Sequence, residues 1–358
     1  MAARVLNVGI DLGTSRTVIA CDNGERSYIP SYVGFPKDAV SRKLFGKDMI
    51  FGEEALKHRM ALNLYKPLEK GVIVHSDEPE KEAEQYKKSL YVARELLKHV
   101  IYLVAGAKSQ DTIVRGVIGA PALATRQNKK ALLEISKGIL DCVLIASEPF
   151  TVAYGLNMLS NALIIDIGAG TVDLCRMHGT IPSDEDQITT FKAGDYIDKV
   201  FLDLVTKKYR EANLTVNMIR KFKEENAFVS ERGERVCIIL PVDGKPTNLD
   251  VTDELRAACR SIVPEIVEAI RKIVASFDPE FQDGLKENVI LAGGGSQIAG
   301  LKKEIEAHME KTLGYGKVRK VEEPLYAGAN GALLLCKDMP DEYWDELKNH
   351  SPAAKAAS

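Results

Sequence analysis

One short pattern occurs twice in this chain and limits the folds available to it. Residues 5–18 read VLNVGIDLGTSRTV, and residues 160–173 read SNALIIDIGAGTVD. In each, an apolar run leads to an aspartate (Asp11, Asp166), a second apolar residue, a glycine (Gly13, Gly168) and a turn of small residues. The aspartates are 155 positions apart, and a further glycine follows each by 13 positions, Gly24 and Gly179. A strand–turn–strand hairpin accounts for both spacings. The first glycine relieves crowding at a tight turn, and the second closes the next hairpin. Repetition at domain-scale separation argues for two related α/β domains.

A chain of 358 residues has room for two such domains and for cores that need neither disulfides nor a structural metal. With 45% hydrophobic and 28% charged residues it is ordinary for a globular protein, and unlike a disordered, collagenous or membrane chain. A formal charge of -3 provides no global basic field for nucleic acid. No apolar run approaches the roughly 18 residues of a membrane span. The Met1–Ile10 stretch lacks the apolar region and cleavage site of a signal peptide and leads straight into a strand. The six cysteines are scattered with no CxxC pair, as expected of buried thiols in a reducing compartment, and the six histidines are equally dispersed. These features together predict a cytoplasmic chain.

The intervening segments supply the rest of an α/β architecture. Glu80–Ala107 predicts a long helix, with Ala83, Tyr86, Leu90, Ala93, Leu97, Val100 and Val104 as one apolar stripe. Strands are expected at 113–118 and 142–146, with a helix starting at Thr125 between them. GTIPSDEDQIT reads as a turn-rich connection, followed by helices over 194–210 and 217–228 and a strand and turn at 236–246. A helical pattern from Thr252 to Phe277 buries Leu255, Ala258, Ile262, Ile266, Ala269 and Ile273; Pro264 either kinks it or divides it in two. A short strand at 289–292, a helix around 301–312 and a closing helix near 328–335 complete the pattern, with 351–358 as a frayed tail. Residues 35–69 and 194–251 read as small insertions.

The loops at Gly13–Thr14–Ser15 and Gly168–Ala169–Gly170–Thr171 can approach an oxyanion closely. Backbone amides and the Thr14, Ser15 and Thr171 hydroxyls would serve as donors. Asp11 and Asp166 would repel bare phosphate, so their sensible role is to organise Mg²⁺ and its waters while the amides hold phosphates. Two glycine hairpins with no ligand are the plainer alternative. There is no GxxxxGK[ST] run, which argues against a P-loop, and GAGTVD lacks the full dinucleotide pattern.

The combination DLGTSRT at 11–17, SEPFTVAYG at 147–155, DIGAGTVD at 166–173 and ILAGGGSQIAGL at 290–301 resembles the actin and heat-shock ATPase superfamily. Spacing, length and the small insertions are most similar to the bacterial actin-like filament proteins of the MreB class. GIDLGTSRT, SEPFTVAYG and EPLYAGANGALLL resemble the magnetosome-associated branch of that class.

The resemblance covers about residues 5–337. It implies duplicated ribonuclease-H-like domains around a cleft that binds ATP and Mg²⁺. Large domain I would comprise 1–34, 70–159 and 326–350 with small subdomain 35–69. Large domain II would comprise 160–193 and 252–325 with small subdomain 194–251. Asp11, Gly13, Thr14 and Ser15 would form one phosphate element. Asp166, Gly168, Ala169, Gly170 and Thr171 would form the other, with Ala169 standing where a glycine is common. Gly293, Gly294 and Gly295 match the adenosine element, although a glycine-rich turn reads the same way. Lys223 and Glu224 match positions near the ribose or base edge, although an exposed charged helix face fits them too.

Pro149 disfavours helix at Glu148 and would aim its side chain from a strand end; the family comparison places that acid near the attacking water. The implied activity is ATP hydrolysis coupled to head-to-tail self-assembly in filaments, probed against a small-molecule kinase or a non-polymerising heat-shock-type ATPase. The implied partners are further copies in paired strands and magnetosome-associated adaptor proteins, with filaments alongside magnetosome membranes.

Overall fold

Val8, Ile10 and Leu12 alternate with residues of the opposite sheet face, and all three are buried. In the computed structural model, which describes residues 4–74, 79–107, 111–231 and 234–349, they belong to β1 (Arg4–Leu12). The chain divides into two units, residues 1–159 with 325–358, and residues 160–324.

In the first unit, β1 is followed by β2 (Arg16–Cys21), β3 (Arg26–Pro30), β4 (Val33–Pro36), α1 (Ala39–Phe45), β5 (Ile50–Phe51), α2 (Gly52–Lys57), β6 (Leu62–Tyr65), β7 (Leu68–Glu69) and β8 (Val72–Ile73). The long helix α3 (Pro79–Ala105), β9 (Thr112–Ala120), α4 (Arg126–Ser136), β10 (Cys142–Ser147) and α5 (Glu148–Gly155) complete its first segment.

The second unit runs through β11 (Ser160–Ile167), β12 (Val172–His178), β13 (Gln187–Thr190), α6 (Gly194–Lys208), α7 (Val216–Asn226), β14 (Cys237–Val242) and β15 (Lys245–Asp250). It continues with α8 (Thr252–Arg260), α9 (Val263–Ala275), α10 (Pro279–Glu287), β16 (Val289–Ala292), α11 (Leu301–Leu313) and β17 (Val318–Lys320). The chain then returns to the first unit as α12 (Ala327–Asp338) and α13 (Asp341–Asn349).

The two main sheets have the same connectivity. The first has strand order β10-β9-β1-β2-β3 and the second β17-β16-β11-β12-β13. In each, an antiparallel hairpin stands at the centre and a later strand pairs parallel to its first member, β9 with β1 and β16 with β11. This is the duplicated α/β fold that the repeated hairpin predicts.

α3 and α4 cover one face of the first sheet. Leu96 and Leu97 of α3 are fully buried there, each contributing roughly 1.5–3 kcal/mol of hydrophobic stabilisation. The stripe expected on α3 is buried from Ala93 onward, whereas Ala83 is exposed. On the other face α12 lies directly on β1 and α5. A Cβ on Gly9 would be 2.1 Å from the Ala329 carbonyl oxygen, and one on Gly331 would be 1.8 Å from that of Thr151. Backbones this close exclude any side chain at either position.

The core of the second unit joins its sheet to α6, α8, α9 and α11. Thr252–Phe277 is two helices: α8 ends at Arg260, and Pro264 occupies the second position of α9, where its missing N–H is harmless. The connection expected over GTIPSDEDQIT leads into the edge strand β13, which begins within it at Gln187 and pairs with β12. Its sequence is too polar to show the alternation of a half-buried strand. α10, β17 and α13 are further elements whose short sequences carry no strong apolar signal. The tail expected at 351–358 lies outside the described residues. All six cysteines are free thiols, five of them buried. Among the described residues no helix is long and apolar enough to cross a membrane.

Candidate functional site

In the first unit, strand register delivers the acid. Asp11 stands opposite Val18 in β2 and Gly119 in β9. Burial pushes its carboxyl from an ordinary 3.8 up to about 6. Gly119 leaves the space between Asp11 and the expected catalytic acid: a Cβ there would be 3.1 Å from Glu148 Cγ and 3.9 Å from Asp11 Cα.

Glu148 therefore sits close to Asp11 at the carboxyl ends of β9 and β10. It does so as the first residue of α5, with Ser147 as N-cap, and not at a strand end. Pro149 is tolerated at the second helical position because no preceding turn supplies a carbonyl for it to clash with or a hydrogen bond for it to miss, which outweighs its local bias on Glu148. A carboxylate in this first turn also faces the positive end of the helix.

The loop after Asp11 is held by Ser31. Its hydroxyl donates to the Gly13 carbonyl at 2.8 Å, its amide donates to the Ser15 carbonyl at 2.9 Å, and its oxygen lies 3.0 Å from the Thr17 hydroxyl. Thr14 is buried and its Oγ1 accepts from the Gly71 amide at 2.7 Å, which leaves its hydroxyl hydrogen to donate elsewhere. Gly328 of α12 approaches from the other side, with room for a Cβ only 3.4 Å from Asp11 Oδ2.

In the second unit, Asp166 is buried opposite Asp173 in β12 and Ala292 in β16. The Gly168 amide donates to the Thr171 carbonyl at 2.9 Å and closes the turn. Ala169 has no positive φ, so the alanine fits where a glycine was expected. The first amides of α6 bind this loop, Gly194 to the Gly168 carbonyl at 3.1 Å and Asp195 to the Ala169 carbonyl at 2.7 Å. Gly293, at φ +72°, and Gly295 lie against the strand that carries Asp166. A Cβ on Gly295 would be 2.2 Å from Ile167 Cγ2. Gly294 begins the 3₁₀ turn that follows.

The structure brings Lys223 to this loop but gives its amine an internal task. Its Nζ donates to the Gly194 carbonyl at 3.0 Å and pairs with Asp198 Oδ1 at 2.6 Å. Asp198, 1% exposed, also accepts from Arg220 Nε at 2.8 Å, and Arg220 reaches Asp195 Oδ1 at 3.0 Å. Glu224 is exposed on the same helix. Asp198, Arg220, Gly119 and Ser31 were missed by sequence reasoning. Gly119 could have been suspected from its place at the end of an apolar strand before Pro121. The Asp198–Arg220 pair joins different helices and leaves no local pattern.

The donor chemistry suits Mg²⁺. Each loop offers one carboxylate among hydroxyls and backbone groups, and Mg²⁺ is usually held by one or two carboxylates with water and substrate phosphates making up the rest. Among the described residues there is no cluster of three or more His, Cys, Asp or Glu side chains that would instead suit a tightly caged metal.

Two sheets of identical connectivity, each with an Asp-x-Gly turn at the end of its central strand, define the duplicated fold of an actin-like protein. The chain belongs to the MreB/Mbl protein family, whose model matches residues 5–342. It is 37% identical over 342 residues to the actin-like protein MamK of Magnetospirillum gryphiswaldense, covering 96% of this chain and 92% of that protein. It is 36% identical to MamK of Paramagnetospirillum magneticum, covering 96% and 95%. Among solved structures it is similar to the MamK double helical filament, with a TM-score of 0.87 at 36% identity, over 94% of this chain and 100% of that one. It is also similar to a non-polymerising MamK mutant bound to AMPPNP, with a TM-score of 0.69 at 36% identity, over 94% and 100%.

Proposed function

We propose that this protein binds ATP with Mg²⁺, assembles head to tail into cytoskeletal filaments, and hydrolyses ATP to control their turnover. The observation that carries the reading is the duplicated Asp-x-Gly hairpin in a chain that is similar over 94% of its length to a protein solved as a filament. Bound Mg²⁺ would supply charge neutralisation at the phosphates. Asp11 and Asp166 would hold its waters, and the Gly13–Ser15 and Gly168–Thr171 amides and hydroxyls would bind phosphate oxygens. Glu148 orients the attacking water and takes its proton on a carboxylate oxygen as the water oxygen bonds the γ-phosphorus and the bond to the ADP oxygen breaks. Lys223 acts through the loop, by holding Gly194 and Asp198, and not by touching nucleotide.

Self-contact is supported by apolar side chains standing in solvent on the small insertions. Val40, Leu44 and Met60 are 78%, 68% and 83% exposed, and Ile239 of β14 is 68% exposed. Repeated heterologous contacts that do not close a ring build a helical strand. The filaments are proposed to lie in the cytoplasm alongside magnetosome membranes and to meet magnetosome-associated adaptors, as the motif resemblance to the magnetosome-associated branch implies.

Sedimentation with and without Mg-ATP, paired with electron microscopy and phosphate release, tests the proposal. Filaments above a critical concentration are expected. A protein that stays monomeric across protein, salt and nucleotide ranges while phosphorylating a small metabolite is instead a kinase.

A further inference from the structure

The first unit contains a cavity of about 870 Å³, within the roughly 300–1,000 Å³ typical of small-molecule sites. It is framed by the second half of α3, the starts of β1 and β9, the turn at Gly138 and the Lys47–Phe51 segment. β1 and β9 run parallel from Arg4 and Thr112 here to Asp11 and Gly119 at their far ends. The cavity therefore stands at the end of the sheet opposite Asp11 and Glu148, and no phosphate-loop residue lines it.

Its lining has two characters. Leu6, Ile101, Val114 and Ile139 are all buried and form an apolar floor. Phe51 stacks on His99 with ring centroids 4.1 Å apart and planes within 8°, giving a flat aromatic wall. Burial first, and Lys47 second, hold the His99 imidazole below its usual range, so at neutral pH this wall is uncharged.

The rim is cationic. Arg4, Lys47 and Lys98 are exposed there, against Asp48 and Glu95. Asp48 has Arg42 3.8 Å away to offset it. Arg94 also lines the cavity, but its guanidinium is used on the Ile135 and Lys137 carbonyls at 3.2 and 2.6 Å. A positive excess beside an apolar floor stands out on a chain whose net charge is -3. An inorganic anion would leave the floor wet, and a plain hydrocarbon would leave the ammonium groups uncompensated.

We propose that this cavity is a second binding site, for a small amphipathic carboxylate whose alkyl or aryl body lies on the Leu6–Ile139 floor and whose head meets Lys47 and Lys98. The site is independent of the nucleotide reading. Lys47 belongs to the segment after α1 and Lys98 to α3, so the ligand bridges the small insertion to the long helix where the Phe51–His99 stack already joins them.

The test is calorimetric titration of the full chain with dodecanoate below its micelle concentration, in parallel with dodecyltrimethylammonium. Saturable binding of one dodecanoate is expected, with the cation binding far more weakly. The Lys47→Glu/Lys98→Glu variant, altered only at exposed positions, should bind dodecanoate about tenfold or more weakly, whereas Lys302→Glu on α11 binds it as the parent does. Ala105→Trp, which fills the cavity, should abolish binding. No saturable dodecanoate binding overturns the proposal, as does equal affinity for the cation or undiminished binding by the double variant. Undiminished binding by Ala105→Trp with an unchanged melting temperature places any ligand elsewhere and overturns it as well.

Discussion

A Cβ atom on Gly293 would lie 2.2 Å from Oδ1 of Asp166 and 2.6 Å from the Ile167 carbonyl oxygen. The glycine turn and the acid are thus in direct contact, and Gly293 also holds a left-handed φ of +72°. Gly293→Ala must both strain the backbone and displace the carboxylate. A stability loss of about 1–3 kcal/mol is expected, with Mg-dependent ATP affinity reduced further than this loss explains. Thermal unfolding and ATP titration with and without Mg²⁺ check it; unchanged metal-dependent affinity removes Asp166 from the metal role.

Glu148→Gln preserves the shape beside Gly119 but cannot accept a proton. ATP binding and first assembly should persist, while hydrolysis falls by about 10²- to 10⁴-fold. Filaments should then last longer if turnover weakens their contacts. Phosphate release and polymer mass, followed in the same sample, separate the chemical defect from the loss of coupling, and hydrolysis at the parent rate refutes the assignment.

Arg220 is placed to position the second loop, since it holds Asp195, whose amide binds the Ala169 carbonyl. Arg220→Ala removes the guanidinium from Asp195 and from buried Asp198, leaving Asp198 with Lys223. A cost of about 2–3 kcal/mol is expected, below the usual penalty for breaking a buried pair because one partner remains. Amide exchange at Gly168–Thr171 in the nucleotide-free protein should quicken, and Arg220→Lys should restore part of that protection. Unaltered exchange would detach this network from the loop.

Burial raises the Asp11 carboxyl to about 6, which gives two opposite pH trends. Its ionisation is harder in the folded than in the unfolded chain, so the nucleotide-free protein loses stability as pH rises from about 4 through about 6. Holding a cation requires the ionised form, so Mg-ATP affinity should fall as pH drops below about 6, by up to about tenfold per unit. Asp11→Asn should weaken Mg-ATP binding and flatten its pH dependence. A parent affinity that is level from pH 7 to pH 5 contradicts the assignment.

The hairpins were readable because their constraint is local: an apolar strand, an acid and a glycine adjacent in sequence. The stripe on α3 and the break at Pro264 were readable for the same reason. β13 was not, since an edge strand with Gln187, Thr189 and Thr190 carries no apolar alternation. The helical setting of Glu148 was not readable, since the local bias of Pro149 points away from helix and only the start of α5 there makes the proline harmless. For Lys223 the sequence offers a position near the ribose or base edge or an exposed helix face, and neither shows that its amine pairs with Asp198, 25 positions earlier. Nothing in either residue's neighbours announces that pair.

The Gly9–Ala329 contact has a consequence for how the chain comes to be folded. β1 is made before residues 160–324, but the helix that covers it is made only after the whole of that segment. The second unit, uninterrupted in sequence, can close its core while the first still waits for α12. The unit that is translated first is therefore completed last, and a chain halted near Pro324 would present the bare face of β1, with Gly9 at its centre, to whatever chaperone or neighbouring chain reaches it.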